Sequence, residues 1–313
     1  MREFEKMLSA PRPYLTDGGM ETWLFFQQGF EAPEFAAITL ANDPPARKAL
    51  RRYFDDFLAM AEDAVTGFVL DTITWRGCTE WAPALQMAPD ELLKLSADAA
   101  QFAAAIRDDW ADRVHGIVLN GVVGPAGDGY APESLPSIDA AYRMHQPQIR
   151  VLAENGVDCI SAITMTNTAE AIGIVQAAKE VGLPVVISFT VETDGRLPTG
   201  QTLGEAIATV DEATGSAPAY YMVNCAHPDH FRDALRDGAG WVSRIGGVRA
   251  NASRLSHAEL DEAEELDQGD PAEFGQLHEE LARLLPSLHV VGGCCGTDHR
   301  HVECAARHLL EAP

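Results

Sequence analysis

Of the six cysteines in this chain of 313 residues, at positions 78, 159, 225, 294, 295 and 304, three sit where thiols can do chemistry. Cys225 lies in Asn224-Cys225-Ala226-His227-Pro228, and Cys294 and Cys295 lie in Gly292-Gly293-Cys294-Cys295-Gly296-Thr297. Cys159 falls in an apolar strand-like run and Cys304 on a helical pattern, where a thiol reads as a small buried hydrophobe. In a long chain without an export signal, metal binding or catalysis outweighs disulfide formation. Three thiolates around Zn²⁺ leave a fourth tetrahedral position open, as catalytic sites do, whereas a structural knuckle would show two short-spaced pairs. Zinc deprotonates a thiol that enters such a position. A free thiol of pKa about 8.5 is mostly protonated at neutral pH, so the metal makes a nucleophile available there. That favours alkyl transfer to sulfur over hydrolysis, whose zinc sites are rich in His and carboxylate. A packed or redox-active Cys294–Cys295 pair is the alternative reading.

These thiols need a scaffold that brings them together. Strands are predicted at residues 14–16, 65–71, 116–120, 157–163, 185–190, 220–224, 240–245 and 288–292. Helices are predicted at 46–64, 90–110, 138–155, 169–181, 203–213, 229–236, 272–285 and 300–310. Several strands are continuous apolar runs, as parallel strands buried on both faces are. Eight βα units in about 300 residues favour a single closed (β/α)8 TIM barrel over an open doubly wound sheet. No Gly-x-Gly-x-x-Gly turn opens a helix after the first strand, which argues against dinucleotide binding. The expected organisation is one domain over 1–313, with a long acidic insertion around 251–270. Barrel chemistry gathers where strands end. Cys225 follows strand six and Cys294 and Cys295 follow strand eight, so the three can converge over the mouth. Adjacent strand residues face opposite ways, so the 294/295 pair must leave strand geometry, which Gly292, Gly293 and Gly296 permit.

Charge excludes some functions. Lys and Arg total 23 against 47 Asp and Glu, a net −24, and such a field repels nucleic acid. No apolar run reaches the roughly 18 residues a membrane span needs. Residues 1–10 carry four charges and no apolar h-region, so the expected address is the cytoplasm. The expected partners are small molecules, with neither nucleic acid nor membrane.

Asp17-Gly18-Gly19-Met20-Glu21-Thr22, the Cys225 motif and the Cys294–Cys295 motif together resemble the homocysteine S-methyltransferase family. Leu70-Asp71-Thr72, Gly121-Val122-Val123-Gly124-Pro125 and Leu197-Pro198-Thr199-Gly200 match as well, so the resemblance spans nearly the whole chain. It implies a zinc-dependent barrel with Cys225, Cys294 and Cys295 as ligands. It further implies Asp17 at the homocysteine amino group, Gly18 and Gly19 giving the backbone close approach to substrate, and Thr164 beside them. The methyl donor would be an onium compound such as S-methylmethionine, S-adenosylmethionine or a betaine, and the product methionine.

The chain departs from that pattern in two places. The family ends strand four with a Glu-Thr pair whose glutamate also binds the amine; here the pair is Ile163-Thr164. Glu192 is a possible substitute, or the acceptor is another small thiol or selenol. On the donor side, the aromatic device for quaternary ammonium has no clear counterpart in Phe30–Glu34. Trp75, Trp81 and Tyr130 could line that pocket, with Arg76 meeting a donor carboxylate; loop packing and a surface salt bridge are the alternatives. His227 either packs at a helix entry or hydrogen-bonds near the zinc. A non-catalytic zinc or redox-sensing barrel is the remaining alternative.

Overall fold

The computed structural model describes residues 2–129, 135–236, 240–263 and 265–310. Eight strands close into an all-parallel barrel in sequence order: β1 Tyr14–Leu15, β2 Phe68–Asp71, β3 Ile117–Val123, β4 Cys159–Met165, β5 Val185–Phe189, β6 Tyr221–Asn224, β7 Ile245–Ala250 and β8 Val290–Gly293. β8 pairs back onto β1 through Tyr14↔Val290 and Leu15↔Val291. Every residue of these strands is buried, which explains their apolar runs. The helices between them start on side-chain caps: Asp43, Ser137, Asn167 and Thr202 each accept a hydrogen bond from a first-turn backbone N–H.

The core has two layers. The larger packs strands against helices, through Phe54 and Phe57 of the helix Pro44–Asp63 and Phe68, Phe189 and Tyr221 of the strands. The smaller fills the barrel with Val69, Val118, Val122, Val186, Met222 and Val290. The N-terminal helix Glu3–Leu8 plugs the bottom with Phe4 and Met7, and Phe4 stacks on Tyr220 at 6.3 Å between centroids. Full burial of each contributes about 1.5–3 kcal/mol. No helix among the described residues is long and apolar enough to cross a membrane.

The structure corrects the seventh strand. The expected strand at 240–245 is a 3₁₀ turn, Gly240–Arg244, and the ladder runs five residues later as Ile245–Ala250. There, Gly246 and Gly247 make room for Tyr220, His289 and Met222, whose side chains would lie within 3 Å of an added Cβ. The acidic segment after β7 contains the short helix His257–Asp261. It folds back over the barrel mouth, where Ala252 N donates to Cys295 O at 3.1 Å.

Candidate active site

The thiols of Cys225, Cys294 and Cys295 lie within 4.8 Å of one another. The ladder puts them there. Cys225 N donates to Arg249 O at 3.2 Å and Cys294 N to Ala250 O at 2.8 Å, so the two loops leave from either side of β7. Cys225 adopts a left-handed backbone, φ 53°. Gly296, φ 78°, turns the chain after the pair, and Thr297 closes that turn by donating to Cys294 O at 3.1 Å (N) and 2.7 Å (Oγ1). Cys225 Sγ and Cys295 Sγ are 3.6 Å apart. Tetrahedral zinc with bonds near 2.3 Å spaces its sulfurs by about 3.8 Å, so the three thiols fit such an ion. As bare thiolates they are poor company: contact with Cys225 pushes Cys294 up to about 12 and raises Cys295 as well, so the protonated forms are favoured until a cation offsets the crowded charge.

The cysteines border a cavity of about 290 Å³ at the C-terminal ends of the strands. Among the described residues lining it, Asp17, Glu21, Asp71, Asp128, Asp261, Glu265 and Asp267 face only Arg76 and Arg249 as fixed cations. An acidic cavity suits a cationic ligand. Asp17 is buried and already engaged. Arg249, the buried arginine of β7, forks between Asp17 Oδ1 and Asp71 Oδ2, and Tyr53 donates to Asp17 Oδ2 at 3.2 Å. Burial pushes the Asp17 carboxyl up to about 7, Arg249 pulling against it and Asp71 adding to the rise. Gly18 N donates to Tyr53 Oη and Gly19 N to Thr297. Both glycines line the cavity, and a Cβ on Gly19 would meet Cys294 O at 2.4 Å. The missing side chain therefore admits the cysteine loop.

Glu21 is a functional candidate that sequence reasoning passed over. It lines the cavity near Asp17 and Cys294, and among the described residues no other residue's side chain donates to its carboxylate. Burial pushes it up to about 7, its own backbone N–H opposing and Asp17 and Cys294 reinforcing. Ile163 lines the same cavity where the family pattern carries a glutamate. Thr164, also lining it, has φ 66°, and Asn224 locks it from both sides: Thr164 N donates to Asn224 Oδ1 at 2.9 Å, and Asn224 Nδ2 donates to Thr164 Oγ1 at 2.8 Å.

On the opposite wall the expected aromatic pocket is partly filled by the protein itself. The Arg76 guanidinium lies 4.3 Å from the Trp75 ring centroid and 3.7 Å from that of Trp81. Trp75 Nε1 donates to Ile163 O, Trp81 Nε1 to Pro125 O, and Arg76 to Glu34 O and Gly127 O. Trp75 and Arg76 line the cavity; Trp81 stands behind Arg76 and does not. Tyr130 lies outside the described residues. Phe26 and Phe35 supply exposed rings instead, 46% and 48% accessible, with centroids 6.1 Å apart. Phe35 follows directly on the loop stretch 30–34 in which no aromatic counterpart was expected.

Glu192 is not at the cavity; its Oε1 lies 3.0 Å from His257 Nδ1. His227 is buried, accepts a hydrogen bond from Asp229 N at 3.2 Å, and is driven down to about 4 by burial. Packing at the helix entry accounts for it.

A family model described as homocysteine S-methyltransferase matches residues 14–309. The structure is similar to the homocysteine methyltransferase MmuM from Escherichia coli. In its metallated form the TM-score is 0.76 at 18% identity, covering 97% of this chain and 99% of that one. The oxidized form gives 0.75 at 19% over the same shares, and the apo form 0.70 at 18% over 98% and 99%. At such identity the likeness is one of fold.

Proposed function

The chain belongs to the homocysteine S-methyltransferase family and is a methyltransferase; on that premise we propose that it moves a methyl group from an onium donor to the sulfur of homocysteine, giving methionine. The observation that carries this reading is the meeting of three thiols at one end of an acidic cavity. Cys225, Cys294 and Cys295 would hold Zn²⁺, which supplies a deprotonated, electron-rich acceptor sulfur at neutral pH.

The rest of the work belongs to the chain's own groups. Glu21 offers open carboxylate oxygens to the acceptor's ammonium, and Asp17, held in place by Arg249 and Tyr53, adds negative charge beside it. The acidic wall favours a sulfonium or quaternary ammonium donor, with Phe26 and Phe35 presenting ring faces at the mouth. Arg76 is placed to meet a donor carboxylate of the kind S-methylmethionine or betaine carries. The new S–C bond forms as the donor's C–S or C–N bond breaks; the donor leaves as a neutral thioether or amine, and the acceptor's thiol proton goes to solvent. No charged leaving group needs a partner.

A second acceptor, another small thiol or selenol, is favoured by one observation: an apolar Ile163 at the cavity wall. A donor-by-acceptor activity matrix on zinc-loaded protein, with metal analysis, tests both. Transfer to homocysteine, with stoichiometric zinc that Cys225→Ser removes, is the expected result. Transfer only to a different thiol selects the second reading, and zinc without transfer to any thiol overturns both.

A further inference from the structure

Cys225 is the one cysteine of the three in the left-handed region, φ 53°. A side chain with a β-carbon resists that conformation, so something must hold it. The holding groups converge on its carbonyl. His257 Nε2 donates to Cys225 O at 2.7 Å, and Thr190 Oγ1 donates to the same oxygen at 3.3 Å. His257 is 5% exposed, and its other ring nitrogen faces Glu192 Oε1 at 3.0 Å, which fixes the ring's rotation. His257 opens the short helix His257–Asp261, whose first turn is locked by a reciprocal Ser256–Glu259 cap. Leu260 and Asp261 of that helix wall the cavity, and Ala252 at the start of the same segment grips Cys295 O. The segment after β7 thus touches the backbone of two of the three cysteines.

We propose that His257, oriented by Glu192, is a positioning residue for Cys225: by holding the 225 carbonyl it fixes the backbone twist that turns this thiol toward those of Cys294 and Cys295. The inference rests on reading the three cysteines as a metal site. Outer groups that orient ligands in this way commonly change metal affinity by about 10–100-fold when removed. No contact between His257 and substrate is involved, since the ring does not line the cavity.

The test compares wild type with His257→Ala, His257→Gln and Glu192→Gln. Co²⁺ is titrated in and the thiolate-to-cobalt charge-transfer band recorded; Zn²⁺ affinity is measured by competition with a chelator. In metal-free protein, dibromobimane bridging of Cys225 to the 294/295 pair is followed by peptide mass spectrometry. His257→Ala is expected to lose about 10–100-fold in zinc affinity, to drop from a three-thiolate to a two-thiolate cobalt band, and to bridge more slowly. The Gln side chain keeps an N–H donor and is expected to restore most of the band; Glu192→Gln falls between. A folded His257→Ala protein with wild-type band, affinity and bridging rate overturns the proposal. Wild-type protein that shows no thiolate band yet bridges quickly, with bridging slowed in His257→Ala, overturns the metal reading while leaving the positioning role intact.

Discussion

Replacing Arg249 by Met removes the cation that bridges two buried carboxylates. Asp17 is 2% exposed, Asp71 8% and Arg249 8%. Without the guanidinium, Asp71 keeps Asn120 Nδ2 at 2.7 Å, and Asp17 keeps Tyr53 at 3.2 Å and Thr16 at 3.3 Å. Those neutral donors do not offset two negative charges, and breaking a buried pair from one side costs about 3–5 kcal/mol. For 313 residues, an unfolding entropy near 2.1 cal/mol/K per residue gives about 0.66 kcal/mol per kelvin. The expected fall in Tm is therefore about 5–8 °C at pH 8, read by scanning calorimetry. The pH dependence has a definite sign. Burial already lifts Asp17 to about 7, above its unfolded value near 3.8, so the folded state holds a proton that the unfolded chain releases. Stability from this group is greatest below the unfolded value and is lost as pH rises through about 7. Removing Arg249 also removes the opposing pull, so the deficit should shrink markedly on going from about pH 8 to about pH 5. A Tm loss under about 2 °C at pH 8, or an equal loss at both pH values, would refute the account of the triad.

Three further outcomes are expected. Glu21→Gln should raise KM for the thiol acceptor with little change in KM for the donor, and lower kcat/KM about 10–150-fold, the equivalent of one charge-assisted contact; steady-state kinetics on folded protein with unchanged metal content checks this. Arg76→Ala should raise KM for a carboxylate-bearing donor while leaving a donor without a carboxylate nearly unaffected, and it should also alter Trp75 and Trp81 fluorescence by uncovering their rings. Buried His145 contacts Glu170 Oε1 at 2.9 Å; burial pulls it down, but Cys78 and Glu170 together hold it up at about 10. Its folded value lies above the unfolded one, so its contribution is present below pH 6.5 and is lost as pH rises through about 10; the fall in stability over that range should flatten in Glu170→Gln, followed by chemical denaturation at several pH values.

The barrel was legible because parallel strands buried on both faces leave mainly apolar runs, broken only by small hydroxyl residues, as in Val185–Phe189 and Cys159–Met165. The thiol site was legible because chemistry-bearing residues fell at strand ends. β7 was misplaced for a physical reason. Trp241 and Val242 make the preceding 3₁₀ turn look strand-like, whereas the true strand, Ile-Gly-Gly-Val-Arg-Ala, has two glycines and an arginine. Neither is a local strand preference. Both are tertiary demands, the glycines from Tyr220 and Met222 and the arginine from Asp17 and Asp71. One partial signal was available: two aspartates at or just past the ends of buried strands require a cation, and the chain offers Arg244 and Arg249 near the seventh strand, of which the true ladder brings Arg249 to them. Trp75 and Trp81 were nominated on residue type, which cannot show that Arg76 would lie against their rings. Glu21 sat inside a quoted motif without a role, since only the fold brings it alongside Cys294.

The three sulfurs come from opposite sides of β7, and β8 takes its place by pairing with β7 on one side and β1 on the other. The adjacent Cys294–Cys295 dipeptide alone offers two donors; the third arrives only once β6, β7 and β8 lie side by side. Uptake of a soft cation into all three would thus wait on the alignment of those three strands, and its optical signature would time their assembly during refolding.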